Sequence, residues 1–119
     1  MKNYYLSFFL AFFFSLNIFP QHLNVRVDAA NSNQPEEVSI AINPTNSNHI
    51  AAAANINHFF RSSDGGLTWQ TSFLSSSFGV WGDPSVIYDE LGNLYFGHLS
   101  NPPFPGYWID RIVVQRSND

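Results

Sequence analysis

Beyond the first twenty residues, apolar positions do not recur at helical spacing over any long window; they fall in short runs separated by turn clusters. Val38-Ser39-Ile40-Ala41-Ile42 alternates and predicts a strand, which Asn43-Pro44-Thr45-Asn46-Ser47-Asn48 turns back. Ile50 to Ile56 returns as a strand of small residues, suited to a crowded centre. His58 to Ser63 gives a third strand, Asp64-Gly65-Gly66 a tight turn, and Thr68 to Leu74 a fourth strand. Four antiparallel strands in roughly forty residues make up one propeller blade.

The pattern then restarts. Ser85-Val86-Ile87-Tyr88 predicts a strand, Asp89-Glu90-Leu91-Gly92-Asn93 turns it, and Leu94 to Leu99 returns. A long loop, Ser100 to Trp108, precedes a third strand over Ile109 to Arg116. Arg116-Ser117-Asn118-Asp119 falls on Arg61-Ser62-Ser63-Asp64 of the first unit. The fold expected is all-β: a β-propeller fragment of about two four-stranded antiparallel blades, the first over about 37–74 and the second over about 83–119 and incomplete. Residues 22–36 form a lead-in. Closed propellers hold roughly four to eight blades, so the remaining blades of a longer parent chain are an expected partner.

Ser62-Ser63-Asp64-Gly65-Gly66-Leu67-Thr68-Trp69 resembles the Asp-box, S-x-D-x-G-x-T-W, of bacterial sialidases and related secreted BNR-repeat propellers. Ser62, Asp64, Gly66, Thr68 and Trp69 occupy its defining positions, and Ser117 with Asp119 starts a partial second box. The resemblance runs from about Glu37 to Asp119. The residue types of the box point to a structural role. A carboxylate at Asp64 accepts from turn N–H groups without ladder partners, Gly65 and Gly66 permit positive φ, and Trp69 covers the hairpin. One carboxylate falls far short of the roughly six to eight oxygens of a calcium loop. The glycines cradle no phosphate, since no helix pattern follows them.

Strand order sorts the loops between two faces. The Asp-box shares one face with the first-to-second turns. Asn55-Ile56-Asn57, Ser75 to Asp83 and Ser100 to Trp108 belong to the other, which in sialidase-like propellers holds the substrate. Trp81, Asp83, Tyr107 and Trp108 are the candidate substrate-binding residues there, because flat aromatics beside carboxylates suit the C–H faces and hydroxyl edges of sugars. Packing between blades is the alternative for Trp81 and Trp108. Pro102, Pro103 and Pro105 stiffen the loop. The resemblance also makes Asp110 a candidate acid/base residue, against the plainer reading of a surface ion pair with Arg111. Sialidases open the first blade with an arginine in an R-I-P motif that clamps the substrate carboxylate. The corresponding stretches here read Asp83-Pro84-Ser85 and Glu36-Glu37-Val38, and an acid in that place reverses the sign of the interaction. A nucleophile pair and further arginines would come from later blades.

Composition adds an address and several exclusions. Of 12 phenylalanines, Phe8, Phe9, Phe12, Phe13, Phe14 and Phe19 crowd the N-terminus. Lys2 followed by the apolar run Tyr4 to Phe19 reads as a secretory signal peptide over residues 1–21, with cleavage near Gln21; a retained anchor is the alternative. A secreted or cell-surface location follows, with no membrane contact after signal removal. The chain has no cysteine, hence no disulfide framework. Its net charge of -4 and sparse arginines exclude a nucleic-acid-binding surface. His22, His49, His58 and His98 lack paired-ligand spacing, so no metal is expected, and no cofactor. The resemblance implies a glycan-directed propeller, part of an exo-alpha-sialidase-type glycoside hydrolase, with a glycan or glycoconjugate as partner. The rival is a non-catalytic secreted propeller for surface binding or adhesion.

Overall fold

The computed structural model describes residues 23–32, 35–106 and 108–117. The segment read as a signal peptide lies outside the described residues, as do Tyr107 and the Asp119 of the second box.

Seven strands form two antiparallel sheets. β1 (Ser39–Ile42), β2 (Ile50–Ala54), β3 (His58–Ser62) and β4 (Gln70–Phe73) make a four-stranded sheet in that order. β5 (Gly82–Tyr88), β6 (Leu94–Leu99) and β7 (Ile112–Arg116) make a three-stranded one. Each is a meander of neighbours, and among the described residues the sheets do not close on themselves. The molecule is an all-β, partial propeller-like fragment.

The two sheets repeat one another in register. Ser39 faces Ala53 and Ile40 faces Ala52 in the first sheet; Ser85 faces Gly97 and Val86 faces Phe96 in the second. Ser39 therefore corresponds to Ser85, Ile40 to Val86 and Ala41 to Ile87. The first turns match as well. Asn43 Oδ1 accepts the N–H of Thr45 at 2.9 Å, and Asp89 Oδ1 accepts the N–H of Leu91 at 3.0 Å. Both are Asx turns, in which the side chain takes over a backbone acceptor's place.

Small residues let the sheets approach. Ala53 of β2 is fully buried against Val86 and Phe96 of the second sheet, with Ala41, Phe59 and Leu74 around them. Phe59 and Phe96 meet edge to face, 6.2 Å between ring centres. The N–H of Val86 donates to Ser39 Oγ at 3.0 Å, a polar stitch between the sheets. On the outer face of the first sheet, Ala52, Ala54 and Phe60 are buried under Val27 of the lead-in and Trp69 of the Asp-box.

Three strands start later or earlier than alternation predicts. β4 begins at Gln70 because the Thr68 N–H is committed to Asp64 Oδ1. β7 begins at Ile112 because Ser100 Oγ accepts the N–H groups of Asp110 and Arg111. β5 extends back to Gly82 through a register shift between Gly82 and Ser85, as a bulge allows.

Candidate functional site

The Asp-box closes on itself. Ser62 Oγ–H donates to Asp64 Oδ1 at 2.7 Å and accepts the N–H of Gly66 at 2.9 Å. Asp64 also accepts the N–H of Thr68 at 2.9 Å and its hydroxyl at 2.6 Å. Those donors, the Thr68 side chain first among them, hold the Asp64 carboxyl down to about 2. Gly65 and Gly66 adopt φ of 73° and 90°, and the indole N–H of Trp69 donates to the Gly66 carbonyl at 3.0 Å. Both Asp64 oxygens are engaged within the turn, so the box holds its hairpin and offers little to a ligand. The Gly65 N–H donates to the Asn48 carbonyl at 3.0 Å, which places the box beside the first-to-second turn of the same sheet.

The opposite face is assembled from the three expected loops. The N–H of Asn101 donates to the Phe78 carbonyl at 2.9 Å, and the Trp81 N–H to the Leu99 carbonyl at 3.0 Å. Gly79, at φ 69°, lies so close to Asn101 that a Cβ there would sit 1.8 Å from its carbonyl oxygen. These ties bring Trp81 and Trp108 together edge to face, with ring centres 5.1 Å apart. Both remain open to solvent, at 36% and 66% exposure. The same two long loops also enclose a cavity of about 300 Å³, lined by Phe78, Pro102, Pro103, Phe104, Asp110 and Arg111 among others and by neither tryptophan.

Asp110 is anchored rather than free. It accepts the Ser100 hydroxyl at 2.7 Å and the Arg111 Nε–H at 3.0 Å, and pairs a second time with the Arg111 guanidinium. Arg111, then Ser100, hold its carboxyl down to about 2. The Arg111 guanidinium lies over the Phe78 ring, 4.8 Å from its centre. Ser100 is fully buried. Its part as the anchor was not visible in the sequence, where the only sign is its place at the end of an alternating strand.

Asp83 sits elsewhere on this face, in a cluster with Glu37 and Asn55. The Asp83 N–H donates to Asn55 Oδ1 at 2.9 Å, and Asn55 Nδ2 donates to the Glu37 carboxylate. Glu37, just before β1, and Asp83, in the irregular start of β5, occupy equivalent places in the two sheets, and both have left-handed backbone, φ 52° and 48°. The hydrogen bond between their side chains, followed by desolvation and repulsion, raises the Asp83 carboxyl above its ordinary value. Sequence reasoning picked out Asp83 and missed Glu37. The internal repeat was the available signal.

A second cavity, about 620 Å³, lies between the sheets toward their outer strands, lined among others by Phe59, Arg61, Gln70, Leu94, Phe96 and Arg116. It opens where the sheets splay apart from the close approach of β1 and β2 to β5. Its arginines are already bonded, Arg61 Nε–H to Gln70 Oε1 at 2.9 Å and Arg116 to Asn93 Oδ1 at 2.8 Å. The smaller loop-face cavity mixes the rings of Phe78 and Phe104 with the Asp110–Arg111 pair.

Among the described residues no group of three or more His, Cys, Asp or Glu is placed to hold a metal. His98 is buried, with one ring nitrogen 2.8 Å from the Leu99 carbonyl and the other 3.0 Å from Gln115 Nε2. No helix among the described residues is long and apolar enough to cross a membrane. No family model, curated protein or solved structure matches the chain.

Proposed function

We propose that the chain is a glycan-directed, exported propeller segment of the sialidase-like class, and that it takes sugar on the face opposite the Asp-box. The observation that carries this reading is the solvent-open Trp81–Trp108 pair on a loop base tied down by buried Ser100. Rigid aromatic surface next to hydrogen-bonding groups gives a pyranose a stacking platform and an orienting edge. The Asp-box motif and the repeated sheet support the class, and the apolar N-terminal run supports export.

Binding is the activity that this chain's own residues favour over hydrolysis. A general acid must carry a proton at the working pH, whereas Asp110 is held as a carboxylate by Arg111 and Ser100. Sialidase-type hydrolysis pairs its acid with a tyrosine nucleophile instead of a second carboxylate, and the resemblance puts that nucleophile in later blades. Asp110 and Arg111 serve instead as acceptor and donor toward sugar hydroxyls.

The test is a glycan array spanning neutral and sialylated oligosaccharides, followed by titration of the best-bound probe. Trp108→Ala should weaken binding at least tenfold with little change in melting temperature, because the ring is exposed. Asp110→Asn should weaken it less. Unchanged affinity in both variants overturns the assignment of the face, and sialoside turnover abolished by Asp110→Asn would instead favour the hydrolase reading.

A further inference from the structure

The segments that join β4 to β5 and β6 to β7 enclose the cavity of about 300 Å³, so both of its walls are internal connections between described strands. Each wall is fixed in place. The Phe78 carbonyl accepts the Asn101 N–H at 2.9 Å. The Ser100 N–H donates to the Arg111 carbonyl at 3.1 Å, while Ser100 Oγ accepts the Arg111 N–H at 3.2 Å. Phe78 and Phe104 stay open to solvent on this base, at 45% and 68% exposure, and neither belongs to a core cluster. Folding therefore leaves two phenylalanine rings uncovered where a guest can reach them.

The polar part of the lining limits the charge of that guest. Asp110 and Arg111 are the charged residues there, and they are paired with each other. An anionic guest would have to compete with Asp110 for the guanidinium, and a cationic one with Arg111 for the carboxylate. A neutral guest leaves the pair intact. The shape of the walls limits it further. The Arg111 guanidinium lies over the Phe78 ring, and Pro102, Pro103 and Phe104 add three more rings. Ring contacts contribute beyond the area they bury, and a flat guest has fewer rotations to lose than an alkyl chain of similar size. The cavity also lies close to the tryptophan pair. Asp110 follows Trp108 by two residues, so their Cα atoms are at most about 7 Å apart.

We propose, resting on the sugar-binding reading of the tryptophan pair, that this cavity receives a neutral aryl group carried by the sugar that stacks on Trp81 and Trp108. The face then selects aryl glycosides over alkyl ones. The Asp110–Arg111 pair stands between the two parts of the ligand, with the sugar on the tryptophans on one side. On the other, the aryl ring lies among Phe78, Phe104 and the prolines.

Titration calorimetry on the secreted chain tests this with methyl, cyclohexyl and phenyl β-glycosides of glucose, galactose and N-acetylglucosamine, and with the same three α-glycosides of N-acetylneuraminic acid. For a sugar that binds, the phenyl form should bind about tenfold tighter than the methyl form, and the cyclohexyl form should stay close to the methyl one. Phe104 is exposed, so Phe104→Ala should keep the native melting temperature. It should bring the phenyl form down to the methyl affinity and leave the methyl form unchanged. Trp108→Ala should weaken all three forms. A methyl glycoside that depends on Trp108, with a phenyl form no tighter, overturns the aryl proposal and leaves the sugar face standing. A phenyl advantage matched by cyclohexyl, or one that survives Phe104→Ala, overturns it as well. Loss of all three forms in Phe104→Ala would mean that Phe104 holds the sugar itself, and has the same effect. No binding of any glycoside in any form overturns the sugar reading together with the proposal.

Discussion

Ser62 and Asp64 divide the donors of one turn between them, and the ionisation of Asp64 is built into that division. Its carboxyl lies at about 2 in the folded chain, against roughly 4 when unfolded. Its contribution is therefore complete above the unfolded value and is lost as pH falls from about 4 toward about 2. Asp64→Ala should melt lower than the native chain at neutral pH, and the difference should shrink steadily through that acid window. Thermal melts at several pH values check it; a difference independent of pH would mean the carboxylate charge is not what the turn uses. Asp83 runs the other way. Its carboxyl is raised by the hydrogen bond to Glu37, so that contact is complete at acid pH and is lost as pH rises through the folded value. Asp83→Asn keeps a donor toward Glu37 at every pH, and Asn tolerates the left-handed backbone found there. The variant should melt higher than the native chain at neutral pH, with the advantage vanishing in acid. A lower melting temperature at neutral pH would show that the Asp83 charge is needed.

The loops of the open face behave as one element because each is fastened to the next. Gly79 is the tightest point: its φ of 69° and the Asn101 carbonyl leave no place for a side chain. Gly79→Ala should lower the melting temperature and also weaken any sugar binding at the Trp81–Trp108 pair, which its loop supports. Trp108→Ala should affect binding with little change in melting, so the two variants separate support from contact. Sequence made the seven strands legible through alternation broken by turn clusters, and the Asp-box through its residue types. Strand ends were less legible where a side chain captures an N–H group, as Ser100 does for Asp110 and Arg111. Of the Glu37–Asn55–Asp83 cluster, Asp83 and Asn55 were legible as residues of one face, but their meeting with Glu37 was not. Its members lie far apart in the chain and meet only because the two sheets stand side by side. The candidate site was legible as a set of loops, while the anchoring of Asp110 depended on a buried hydroxyl that no local pattern marks.

At the scale of the molecule, neither sheet has an inter-sheet core of its own. Ala53, Val86 and Phe96 form one cluster drawn from both sheets, closed by the Phe59–Phe96 ring contact. Alanine strands give little apolar area by themselves, and the shared cluster stands beside the first sheet's own Ala52, Ala54 and Phe60, buried under Val27 and Trp69. Unfolding is then expected to be shared. Phe96→Ala removes a ring that is 4% exposed, and a buried Phe→Ala change costs roughly 3–5 kcal/mol. That loss should lower one common transition instead of releasing the second sheet alone. The three tryptophans make this measurable, since Trp69 reports on the first sheet and Trp81 with Trp108 on the loops of the second. In a chain with Trp81→Phe and Trp108→Phe, and in one with Trp69→Phe, the fluorescence midpoint should coincide with the strand signal of the same chain. Adding Phe96→Ala should move both signals together in each. If Trp69 fluorescence instead kept its midpoint while the strand signal split into two steps, the first sheet would be stable without its neighbour. The alanine-lined contact would then be a docking surface between independent units.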